Sequence, residues 1–158
     1  MIYAALKTVH LLAIMVWLGG MAFAHFFLRP AVALLDPPTR LRLMHDVLGR
    51  FFQAVLVVSL LTLGSGVWML GRVAKQVVQS GGSFQMPWHW TVMAVLGVLM
   101  VAIFMHIRFA LYKRLSRAVA AADWPGGGAA MAQIRQWVAI NLALGTAIMV
   151  VTLLGGAA

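Results

Sequence analysis

The chain has 158 residues, of which 63% are hydrophobic and only 9% charged. Soluble domains carry about 25% charged residues, so a water-soluble globule is excluded and a membrane protein is indicated. The net charge of +9 does not point to nucleic acid, because the cations flank apolar runs, as juxtamembrane Lys and Arg do.

A membrane-crossing helix needs roughly 20 apolar residues. Four segments qualify, at about residues 2–28, 50–71, 88–112 and 136–154. The Arg29-Pro30 pair is expected to end the first, and the run before it is read as a retained helix instead of a signal peptide. Pro37-Pro38 restarts the chain, and Thr39–Leu48 reads as a helical extension of the second span. Ser80-Gly-Gly-Ser83 and Pro87 mark the second loop, and Pro125-Gly-Gly-Gly128 the third. Short connections predict an all-α, integral-membrane, four-transmembrane-helix bundle of up-down-up-down topology, with no length left for a second domain.

The first loop carries Arg29, Arg40, Arg42 and Arg50, and the third Lys113, Arg114, Arg117 and Arg135. The second loop has only Arg72 and Lys75, so the positive-inside rule places loops one and three in the cytoplasm and both termini outside. The expected location is a bacterial-type inner membrane, with Trp68, Trp88 and Trp90 at its outer interface.

Ionisable groups at membrane depth are costly and serve as functional-site candidates. With no cysteine, disulfides, thiolate zinc sites and iron–sulfur clusters are excluded, and copper is left with His, Met or carboxylate. His10 and His106 lie within the most apolar runs and are expected to face the bundle interior. If Lys7 and Trp88 mark the outer boundary, His10 and His89 lie within roughly 5 Å of it at 1.5 Å per residue. His25 and His106 then lie about 27 Å down. His10 and His25 share a broad helix face, about 60° apart, whereas His89 and His106 fall roughly 100° out of phase. His25 and His89 can equally be interfacial histidines with a wet polar tip, and His45, in the Arg-rich helix, is expected to be solvated. Trp17 is expected to fill the core, and Gly19 and Gly20 to permit close helix packing.

Lys7-Thr-Val-His10 followed by Trp17-Leu-Gly-Gly20 resembles the start of HemJ-type protoporphyrinogen oxidases and of CopD-type copper-resistance membrane domains. The similarity continues through Arg42-Leu-Met44, Leu63-Gly-Ser-Gly66, Trp88-His89, His106, Arg135 and Asn141-Leu-Ala-Leu-Gly145. The HemJ resemblance implies heme b, one or two, with His10 as a ligand and a redox role toward a porphyrin or similar substrate. Quinone is then a candidate acceptor, by general fit to a membrane oxidase. HemJ-like chains use a lysine early in the third span, where this sequence has Thr91-Val92-Met93. His89 is the substitute and Met93 another, with His106 a further candidate ligand nearer the opposite face. Gly64 and Gly66 would let the ring approach backbone, Trp17 could stack on it, and His25 could partner His106. Lys7, Arg72, Arg108 and Lys113 could pair with propionates.

The CopD resemblance implies the alternative, copper transport, with Met86-Pro-Trp-His89, Met69 and Met93 as an outer site and Met105-His106 as an inner one. Thioether and imidazole suit Cu(I). A non-catalytic membrane subunit is the third reading. The expected partner common to all is the lipid bilayer, and self-association into a homo-oligomer is left open.

Overall fold

The computed structural model describes residues 1–156 and consists of four helices, each long and apolar enough to cross a membrane. They are α1 (Ile2–Val32), α2 (Pro37–Gln79), α3 (Trp88–Ala120) and α4 (Trp124–Gly155). The chain is thus the all-helical, up-down-up-down bundle that its apolar runs predict. α1 packs along α2, and α3 along α4, so the molecule is two helical hairpins laid side by side. α1 and α3 sit diagonally and meet only through side chains in the core, where Trp17 and Phe104 pack edge to face at 6.0 Å.

Local chemistry fixes the helix starts at the arginine-rich end. Asp36 caps α2 by accepting from the Thr39 amide at 3.1 Å, and Asp123 caps α4 by accepting from the Gly126 amide at 3.0 Å. Prolines follow each cap, in the first turn where a helix N–H has no intrahelical partner. The Thr39 amide beside Asp36 holds that carboxyl below its ordinary range. The α3–α4 turn is tight enough to put Ala122 at φ 54°, the left-handed region.

Four boundaries differ from the sequence expectation: α2 runs to Gln79 and α3 to Ala120, past expected ends near 71 and 112, and two more lie at prolines. Arg29-Pro30 does not end the first helix, which runs on to Val32. A π-helical turn over Ala24–Leu28, with the Arg29 amide reaching back to the Ala24 carbonyl, resets the backbone immediately before the proline. Pro125-Gly-Gly-Gly128 is not a loop but the first turn of α4. Its buried Gly127 allows close approach to α2 and α3, since a β-carbon there would stand 3.1 Å from Leu41 and 3.7 Å from Ala118. α3 also carries a π turn, at Ile107–Leu111, before its extension to Ala120.

The apolar core is concentrated toward the arginine-rich end, in Leu41, Leu48, Phe52, Ile107, Leu115 and Ile134. Trp17, Met21, Met100 and Phe104 continue it to mid-bundle. Among the described residues no hydrophobic side chain before Ala13 on α1, or after Val138 on α4, is fully buried. The opposite end of the bundle is therefore half-open, and it is the end that holds His10 and His89.

Candidate functional site

Each hairpin presents one imidazole against a glycine of its partner helix at this half-open end. On α1, His10 Nδ1 lies 2.9 Å from the Ser65 hydroxyl of α2. Ser65 has one proton to give, and carbonyls of its own helix take it: Leu61, with Thr62 at 3.2 Å. The Ser65 oxygen therefore accepts, His10 Nδ1–H donates, and the network assigns the tautomer whose Nε2 carries a free lone pair. Gly66 lies beneath the ring, where a β-carbon would come within 3.3 Å of His10 Cε1.

On α3, His89 occupies the second position of the helix and lies against Gly155 near the end of α4. A β-carbon at residue 155 would stand 2.7 Å from His89 Cβ and 3.1 Å from its Nδ1. That Nδ1 is buried and has no hydrogen-bond partner. Trp88 and Trp90 bracket the imidazole edge to face, with centroids at 5.9 and 6.2 Å. Met86 precedes His89 by three residues and Met93 follows one turn later, so thioethers are the soft donors adjacent in the chain.

The other expected site residues are placed differently. His106 does not face the bundle interior: it is exposed on α3, with its ring edge against Trp137 of α4 at 5.5 Å. The helical phase explains this, because the face of α3 that packs Met100, Ile103, Phe104 and Ile107 into the core leaves residue 106 outside. His25 is half-buried in the α1 π turn, against Phe26, at the arginine-rich end. His25 and His106 thus each pack against an aromatic ring. Trp17 is a core residue, 3% exposed, and not a free stacking surface. Gly64 faces outward with nothing within 4 Å of a β-carbon, so of the two glycines expected near a cofactor only Gly66 meets His10. Gly20 packs closely on the Phe51 ring, as expected of a helix-contact glycine, whereas Gly19 does not.

Three polar groups were not legible as partners from sequence. Ser65, the hydroxyl between two glycines, turns out to orient His10. His45 is half-buried and also engaged: its Nε2 lies 3.0 Å from the Ser116 hydroxyl, its Nδ1 3.1 Å from Asp46, and its face stacks on Tyr112 at 5.2 Å. Asn141, 1% exposed in α4, keeps its Oδ1 buried without a donor. Among the described residues no three His, Asp or Glu side chains converge. A metal at the half-open end would rest on imidazole, which suits borderline ions, with thioether as the soft donor adjacent in the chain.

These features define a four-span helical membrane protein with two half-buried imidazoles at its half-open end. The family model for CopD, copper resistance protein D, matches residues 45–154, and the chain belongs to that family. The match takes in the second, third and fourth helices with His89 and His106. It falls on the copper-associated branch of the resemblance and not on the porphyrin-oxidising one. Comparison with curated proteins and with solved structures returned no match.

Proposed function

We propose that this protein carries copper, as Cu(I), into and across the membrane through the bundle. The observation that carries the reading is the pair of imidazole nitrogens left free at one end, His10 Nε2 and His89 Nδ1, in a chain of the copper-resistance D family. Met86, Met93 and Met69 supply soft donors at the same end, and the thioethers of Met21 and Met100 lie buried at mid-bundle. Met100 Cε would stand 3.0 Å from a β-carbon on Gly145, as would Leu18 Cδ1, so α1, α3 and α4 converge on that level. Weak, successive soft sites suit a cargo that must leave as well as bind.

The arginine asymmetry orients this reading: the cation-rich end lies in the cytoplasm, and the histidine end opens outside, in the inner membrane of a bacterial-type cell. A heme b reading would need a second axial ligand for His10. His106, exposed and at the other end, does not supply one, which leaves His89 and Met93 at the same end as His10.

Proteoliposomes loaded with a Cu(I) chelator test the proposal. Wild-type protein should accumulate copper, and His10→Ala and His89→Ala should each abolish most of that uptake while leaving the helical circular dichroism unchanged. Uptake that survives both substitutions overturns the reading. A Soret band in protein purified from heme-supplied cells, lost in His10→Ala, would instead restore the heme alternative.

A further inference from the structure

At the arginine-rich end, far from the two free imidazoles, α2 and the π turn of α3 form an open surface cleft of about 450 Å³. It is lined by Asp46, Gly49, Arg50, Gln53, Arg108 and Tyr112. Arg108 is half-buried, its guanidinium carbon held 5.3 Å over the Tyr112 ring and 5.6 Å over Phe109. Its Nε–H is buried without an acceptor. A buried charged donor left unsatisfied is costly, and a fixed one is a place for an anion. Tyr112 cannot move aside, because its hydroxyl donates to the His45 carbonyl at 3.1 Å and abuts Gly49.

The chain offers these cations no partner. It has 12 Lys and Arg against 3 Asp and Glu. Among the described residues the one contact within 4 Å between a carboxylate and a basic side chain is Asp46 with His45, so no arginine is paired. Two guanidinium charges and one carboxylate leave the cleft a net charge of one, which suits a singly charged anion. The face of α2 that lines it, Asp46, Arg50 and Gln53, continues one and two turns on as Val57 and Leu60, 58% and 60% exposed. Polar donors thus grade directly into an apolar wall along one stripe.

We infer that this cleft binds the phosphodiester of an anionic phospholipid. The phosphate sits between the Arg50 and Arg108 forks with the Gln53 amide beside it, and the acyl chains lie on the Val57–Leu60 face. Planar guanidinium pairs are the side chains best shaped for phosphate oxygens, and basic pockets between membrane helices recognise such headgroups.

Native mass spectrometry of delipidated protein in neutral detergent tests this. Phosphatidylglycerol should be retained at least about tenfold better than phosphatidylcholine, the scale of one charge-assisted hydrogen bond. Arg50→Gln, at an exposed position and so tolerated by the fold, should lose about that factor, and Arg108→Lys should keep more binding than Arg108→Gln. Arg29→Gln and Arg135→Gln, on exposed residues outside the cleft, should leave it unchanged. Equal retention of the two lipids overturns the proposal, as does an equal loss in the outside variants. Full displacement by millimolar inorganic phosphate would mark a free-anion site and overturn the lipid assignment as well.

Discussion

Ser65 does for His10 what second-layer partners do for metal-binding imidazoles: it selects which nitrogen carries the proton. Ser65→Ala should therefore weaken Cu(I) binding about 10- to 100-fold, measured by competition with a Cu(I) chelator, with little change in melting temperature. Gly155→Val should displace the His89 ring and mimic His89→Ala in uptake, while Gly64→Val, at an open position, should be silent in the same assay. His45 belongs to stability: His45→Ala removes the Ser116 hydrogen bond and the Tyr112 stack and should cost about 1–3 kcal/mol in detergent unfolding. The histidine types and positions were visible in sequence. Whether each ring faces core, partner helix or lipid was not, because that depends on helix phase summed over a π turn and on which neighbour packs beside it.

At the scale of elements, both hairpins are closed at the arginine-rich end by an aspartate cap followed by proline. The Asp36 carboxyl has a depressed pKa in the folded chain, so its contribution is present above the ordinary carboxylate value and is lost as pH falls through the lower, folded one. Acidification should accordingly lower the protection of the Thr39 amide against hydrogen exchange, measured relative to its intrinsic rate at each pH, and Asp36→Asn should flatten that pH dependence. The glycine run at the start of α4 divides by position. Gly128→Ala, with open space and a helical backbone, should stabilise by about 0.5–1 kcal/mol. Gly127→Val, pressed on Leu41, should destabilise by about 1–3 kcal/mol in the same unfolding measurement. Sequence reads three consecutive glycines after proline as a turn, since it registers backbone freedom and not the helix surface that needs the missing β-carbon.

At the scale of the whole molecule, the two ends of the bundle are different materials. One is packed, capped and cationic, with its core around Phe52, Ile107, Leu115 and Ile134. The other is half-open and carries the free imidazoles. The absence of native cysteine makes the proposed orientation directly measurable. A single cysteine at Gly82 should be labelled in intact cells by a membrane-impermeant maleimide, and one at Ala122 only after permeabilisation. The reverse pattern would invert the direction of copper movement proposed above.

By itself the sequence determined the number of membrane helices, their alternation and the copper-family resemblance. Apolar length and proline or glycine punctuation are local properties that a bilayer reads directly. Only the tertiary structure decided that His10 is oriented by Ser65, that His106 is turned outward, and that Arg108 stands unpaired over Tyr112. Each of these rests on which helix lies beside which, and at what rotation. The uniform apolarity of the spans leaves that rotation unwritten, since a membrane helix that is hydrophobic all round carries no amphipathic stripe to name its inner face.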